Sequence, residues 1–213
     1  MSHRRLRFAY LSAGLLAALV VAAAAPVIAQ GDRTVTRFVL AAAGNEARYR
    51  VREQFVGVNL PNDAVGATSD ITGALVLDET GQVVPESSRF VVDIRGLKSD
   101  SANRDRVIQG RVLETERFPT VDVAVTALRG LPWPLPQTGE VAFELVADMT
   151  VHGETRPWTW QVAATPKDGG LAGTATTSFA FGEFGMPVPT SFRILSVEDN
   201  VRLEYDFHLV PAP

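Results

Sequence analysis

The sequence predicts an all-β protein: a closed antiparallel barrel of about eight strands with one short helical insert, preceded by a signal peptide. Three observations lead there. From Glu140 to His152 the chain alternates, with Val141, Phe143, Leu145, Ala147, Met149 and Val151 on one parity and Glu144, Asp148, Thr150 and His152 on the other. Strand side chains point to opposite faces with period 2, so this segment reads as a half-buried strand. The pattern recurs in at least six other segments, and turn residues separate them at regular spacing with no βαβ rhythm. A chain of one-sided strands must bury all its apolar faces together, and a closed barrel does so.

At 213 residues with 46% hydrophobic and 21% charged side chains, the composition is globular and long enough for one sizeable core. Arg4, Arg5 and Arg7 precede an apolar run from Phe8 to Ala25, then Pro26 and Val27-Ile28-Ala29. This reads as a secretory signal peptide over residues 1–29 with cleavage after Ala29. An uncleaved anchor is the rival, because the run is long for a signal core and short for a span. Arg4-Arg5 is a poor match to a twin-arginine signal, which favours the general secretory route. The expected location is therefore secreted, periplasmic or cell-envelope, with no stable membrane insertion after cleavage.

Cleavage removes three Arg and no acid, leaving 17 basic against 24 acidic side chains, net −7. That balance argues against nucleic acid and against electrostatic attachment to anionic lipid. The chain has no Cys, which excludes disulfides, thiol chemistry and a Cys-anchored lipoprotein.

In order, strands are expected near residues 34–41, 47–56, 70–78, 88–97, 119–128, 140–152, 156–165, 171–181 and 200–210. Gly44-Asn45, Gly81-Gln82, Gly153-Glu154 and Lys167-Asp168-Gly169-Gly170 punctuate them. Three stretches interrupt the meander. Gly57–Ser69 reads as a long loop. Ser99–Pro119 carries a helical piece that Ser101 can cap, with Val107, Ile108, Val112 and Leu113 at helical spacing. Gly182–Phe192 is a Gly/Pro-rich connection. It and the first loop hold apolar Leu60, Val65, Phe184 and Met186 with no strand face to bury them, which suits either a lid or a plug.

Catalytic equipment is sparse. His152 and His208 fall on the polar parities of their strands and should face solvent. Without Cys, and with two outward His on separate strands, no metal site is expected, and no cofactor. No G-x-S-x-G occurs. One polar residue is out of place: Tyr49, Val51, Glu53 and Phe55 share an inward parity. A buried carboxylate is costly unless paired or protonated, so Glu53 is either a polar handle in the lumen or the partner of an Arg such as Arg104 or Arg106. The other inward positions are rich in aromatics: Phe90, Phe143, Trp158, Trp160, Phe179, Phe181, Tyr205 and Phe207. Such rings serve equally as core filler or as pocket lining.

Five pieces in order carry a family resemblance. They are Thr72-Gly73-Ala74-Leu75 with Asp78, Arg104-Asp105, Arg117-Phe118-Pro119 leading into Val121-Asp122-Val123, Asp148 to Pro157 (DMTVHGETRP), and Phe181-Gly182-Glu183-Phe184-Gly185. Together they resemble the YceI-like domain family over about residues 37–210. The resemblance implies a lipocalin-like, exported barrel that encloses a long apolar ligand: a polyisoprenoid, a quinone-type molecule or a fatty-acyl derivative. Two positions depart from the family pattern. Many members carry a His in the second strand, where this chain reads Arg52-Glu53-Gln54. A basic or aromatic residue is common just before the Phe-Gly piece, where this chain has Phe179-Ala180-Phe181.

The expected function is thus a non-enzymatic binding protein with one isoprenoid or acyl-chain ligand in its lumen, as a monomer or a homodimer. The residues expected to line that lumen are Tyr49, Glu53, Phe55, Phe90, Val92, Val123, Phe143, Leu145, Met149, Trp158, Trp160, Phe179, Phe181, Tyr205 and Phe207. Two alternatives remain open: a lipid-modifying enzyme using Glu53 as base, and a ligand-free structural or stress-related barrel with a packed lumen.

Overall fold

A computed structural model describes residues 34–57, 59–190 and 194–213. The signal segment at residues 1–29 lies outside them. Eleven strands are present among the described residues: β1 (Val35–Leu40), β2 (Glu46–Phe55), β3 (Asn62–Thr68), β4 (Ile71–Asp78), β5 (Arg89–Asp93), β6 (Lys98–Ser99), β7 (Thr120–Arg129), β8 (Val141–Val151), β9 (Glu154–Lys167), β10 (Gly170–Phe179) and β11 (Ile194–Pro211). Every pairing is antiparallel. Eight strands form a closed ring in the order β1-β4-β5-β7-β8-β9-β10-β11. It closes where Phe38, Val39 and Leu40 meet Pro211, Val210 and Leu209.

The long strand β11 makes both closure and extension happen. One edge pairs with β10 from Val201 to Leu209. Its other edge holds β1 near its C-terminus and β2 from Ile194 to Asp206. Strand β2 then carries β3, and β3 carries the two-residue β6. The ring is therefore prolonged on one side by a β2–β3–β6 flap of the same sheet.

Two hairpins follow from turn chemistry. His152 and Gly153 have φ of 52° and 80°, and Asp168 and Gly169 have 51° and 79°. Paired positive φ values are those of the two-residue hairpin turn whose twist matches the flanking strands. Between β6 and β7, Ser101 caps helix α1 (Ala102–Val107) by accepting from the Arg104 N–H, and a π-helical turn at Ile108–Val112 continues it. The helical insert thus lies where the spacing predicted it.

The structure corrects three local expectations. Gly57–Ser69 is not all loop, since β3 occupies Asn62–Thr68. Its inward residues are Ala64, Gly66 and Thr68, too small or polar to write an apolar alternation into the sequence. The Tyr49 ring lies over Gly66 so closely that a Cβ there would come within 2.3 Å of it. Phe184 and Met186 are not exposed: both are buried, Phe184 completely. Finally, β11 begins at Ile194 and not near residue 200. A register shift between Val197 and Val201, across Glu198-Asp199-Asn200, breaks the parity that a sequence reading follows.

Candidate functional site

The inward faces of the barrel enclose a cavity of about 610 Å³. That volume falls in the range of small-molecule pockets, and it is far more than the packing voids of a filled core. Phe143, Leu145, Trp160 and Val162 border it from β8 and β9, Ala175 and Phe179 from β10, and Leu203, Tyr205, Phe207 and Leu209 from β11. Phe90, Val92, Val121 and Val123 contribute from β5 and β7, and Leu75 from β4. The lining is predominantly carbon.

Tyr49, Glu53, Phe55, Phe90, Val92, Val123, Phe143, Leu145, Trp160, Phe179, Phe181, Tyr205 and Phe207 all border this cavity. Met149 and Trp158 do not. Met149 is fully buried in solid core. Trp158 stands toward the barrel end, in an aromatic cluster with Phe179 (centroids 6.0 Å apart) and Phe184 (5.5 Å), while Phe179 and Phe184 meet at 4.8 Å. The indole N–H of Trp158 is satisfied by Thr177 Oγ1 at 2.9 Å. Phe184, in the 3-10 turn Phe181–Phe184, packs against Trp158; parity gives a face, but not which neighbour fills it.

The polar part of the lining gathers beside α1. Glu53 is 6% exposed and accepts from Arg104 Nη2 at 2.7 Å. Asp100 takes the other side of the same guanidinium. Burial works against the Arg104 charge, but the hydrogen bonds to Glu53 and Asp100 outweigh it and hold the group above its ordinary range. Asp105 fixes the start of the insert by accepting from the Ser99 N–H (2.8 Å) and Oγ (2.6 Å). Of the two readings of Glu53, the paired one is what the geometry contains. Ser101, Asn103 and Arg104, together with Ile108, Val112 and Leu113, also border the cavity and were not expected there. The helical spacing of Ile108, Val112 and Leu113 was their only signal in the sequence.

Two buried donors on the lining have no partner among the described residues: Trp160 Nε1 and Tyr205 Oη. Burial pushes the Tyr205 hydroxyl well above the usual phenol range. Burial also raises Tyr49, to about 12, against a smaller opposing effect of Arg104.

The histidines are not the solvated residues that strand parity implied. The His152 side chain is 11% exposed; its Nε2 lies 3.2 Å from Glu114 Oε1 and its ring 4.6 Å from that of Phe118. His208 is similarly covered, with Nε2 3.1 Å from Asp168 Oδ2. Each sits at or opposite a hairpin turn, where neighbouring loops fold over the outward face. Neither borders the cavity. Among the described residues, no group of three or more His, Asp or Glu side chains is placed to hold a metal ion.

The family model for the YceI-like domain matches residues 38–209. This chain belongs to the YceI-like domain family. UPF0312 proteins of Pseudomonas are relatives. The one from P. putida strain GB-1 is 29% identical over 133 residues, covering 58% of this chain and 64% of the relative. The one from P. fluorescens SBW25 is 30% identical over 114 residues, covering 49% and 56%. This chain therefore matches less than two thirds of the length of those relatives. Among solved structures, a polyisoprenoid-binding domain from Saccharophagus degradans superposes with a TM-score of 0.59 at 8% identity, over 82% of this chain and 98% of that one. Burkholderia cenocepacia BcnA gives 0.57 at 12% identity, over 76% and 94%. A Campylobacter jejuni YceI protein gives 0.52 at 11% identity, over 70% and 84%. These likenesses are of fold.

Two of the five sequence pieces that carry the resemblance meet at one barrel end. Arg117 lies 4.7 Å over the Phe118 ring, Phe118 meets the His152 ring at a tilt, and a Cβ on Gly153 would come within 2.7 Å of the same Phe118 ring. The Arg117-Phe118-Pro119 piece and the β8–β9 turn thus clamp each other.

Proposed function

We propose that this protein is an exported, non-enzymatic binding protein that holds one long apolar ligand, an isoprenoid, quinone-type or fatty-acyl molecule, in its lumen. The cavity of about 610 Å³ inside a closed barrel carries this reading. A lumen that served only as core would be filled by its own side chains. Transfer of a chain into such a space stabilises the complex by about 0.8 kcal/mol per methylene, so a long chain needs few polar contacts.

The name of the Saccharophagus domain, polyisoprenoid-binding, supports the ligand class. The engagement of Glu53 by Arg104 and the crowding of Asp100 weigh against a free base in the lumen, which an enzymatic reading requires. Export rests on the sequence of residues 1–29, and the mature chain would begin at Gln30. We test both points on protein purified from its native envelope. Mass spectrometry of an organic extract should find one class of long-chain lipid at near-stoichiometric amount, and intact mass should start at Gln30. An extract without lipid, from protein that also takes up no added chain, overturns the binding reading; retention of residues 1–29 overturns cleavage.

A further inference from the structure

The two ends of the barrel are closed differently. At one end stand α1, the Phe181–Phe184 turn and the polar lining residues Ser101, Asn103 and Arg104. At the other lies the connection from β7 to β8, which begins Gly130-Leu131-Pro132-Trp133-Pro134-Leu135-Pro136. Leu131, Trp133 and Leu135 pack against the core, while Pro132 and Pro134 are exposed. Proline fixes its own φ, so Pro132, Pro134 and Pro136 make this strap stiff. It is also pinned in the middle. Trp133 Nε1 donates to Glu79 O at 3.0 Å, and the indole lies so close over Gly81 that a Cβ there would come within 2.4 Å of it.

Beyond the main cavity is a second void of about 10 Å³, bordered by Phe38 and Leu77 as well as by Leu131 and Leu135. Leu75, Leu131, Leu171 and Leu209 border both spaces. The strap leaves β7 and meets residues of β1, β4, β10 and β11 around that void, so it spans the ring. Leu75, Leu171 and Leu209 are held by their strand ladders, and Leu131 alone comes from the connection. It is the side chain that partitions cavity from void without being part of the wall. Every residue around the void is apolar, so the space stays dry and can receive carbon once the partition is removed.

We propose that Leu131 is the end stop of the lumen and sets the length of chain the protein accepts, with Leu135 as the wall behind it. This rests on the lumen reading above and adds the residue that limits it. An amphiphile turns its polar end toward the polar lining beside α1, so its chain terminus points at the strap. Each methylene buried in the lumen should raise affinity about fourfold until the terminus meets Leu131. A longer chain must then fold back or push against a stiff strap, and gains nothing.

The experiment measures displacement of a fluorescent acyl probe by the n-alcohol series from decanol to docosanol, for the wild type, Leu131→Ala, Leu131→Phe and Leu135→Ala. Wild-type affinity should climb with chain length and then break. Leu131→Ala should move the break about two carbons longer, into the second void, and Leu131→Phe about two carbons shorter. Alcohols too short to reach the strap should keep their wild-type affinity within about twofold. Leu135→Ala alone should leave the break in place, because Leu131 still stands before it. Combined with Leu131→Ala, it should move the break further than Leu131→Ala does. A merely structural leucine would weaken every length alike, and Leu131→Phe carries the test if Leu131→Ala folds poorly. A wild-type series without a break overturns the proposal and leaves the lumen reading standing. So does a break that stays put in whichever Leu131 variant folds, or an equal loss at all lengths. No displacement of the probe from the wild type at any length overturns both.

Discussion

The ring wall and the flap that prolongs it are built on different terms. The β8–β9–β10 wall turns large side chains inward, Phe143, Leu145, Trp160, Val162 and Phe179, in unbroken register through two tight hairpins. The β2–β3 flap offers Ala64, Gly66 and Thr68 from β3, and from β2, beside Tyr49, Val51 and Phe55, a charged Glu53 that needs Arg104 from α1 to stay buried. One wall supplies contact area and rigidity. The other supplies room, with the helical insert closing over the polarity that thin packing admits. A cavity persists in a close-packed fold when one side of it is made of residues that cannot fill it.

The largest expected effect is on the first wall. Phe184 is fully buried against Trp158 and Phe179. Phe184→Ala should cost about 3–5 kcal/mol in chemical denaturation, as large-to-small changes at solid core sites do. A loss below about 1 kcal/mol would mean that this end is a loose lid. Next comes the buried pair. Arg104→Met strands the Glu53 carboxylate and should cost about 3–5 kcal/mol, whereas Glu53→Leu combined with Arg104→Met should recover most of it. If the double variant is as unstable as the single, the pair is not what steadies the β2–α1 contact.

A smaller effect is expected where Tyr49 covers Gly66. Gly66→Ala drives a methyl group against the ring, which must move toward the lumen, at about 1–3 kcal/mol. Probe affinity should fall with it; unchanged affinity would show that this wall does not bound the ligand. The smallest belongs to Leu60, 77% exposed on the β2–β3 connection. Leu60→Ser should leave stability within about 0.5 kcal/mol. If stopped-flow uptake rates also stay put, the residue gates nothing.

The same contrast sets what the sequence made legible. The first wall could be read nearly residue by residue, because Val141 to Val151 alternate large and polar and the turns carry their own glycines. Strand β3 could not: Ala64, Gly66 and Thr68 have the right parity but too little hydrophobicity to register as a face. β6, with two residues, has no pattern at all. Within the cavity, parity placed most of the lining and failed at Met149 and Trp158, where tertiary neighbours fill the space. The Glu53 anomaly was visible in the sequence, and so was its resolution by Arg104 as one of two candidates. The unpartnered state of Trp160 and Tyr205 was not, because it depends on what strands distant in sequence fail to offer.

The central claim is that the lumen accepts a chain, and Phe143→Trp addresses it most directly. Phe143 borders the cavity from the rigid wall, so the larger ring takes ligand space without dislodging a hairpin. Titration of a fluorescent acyl probe, followed beside circular dichroism, should give one site per chain for the wild type. Phe143→Trp should lose affinity at least about tenfold with an unchanged spectrum. Equal affinity and stoichiometry in both proteins would place the probe outside the barrel and contradict the account.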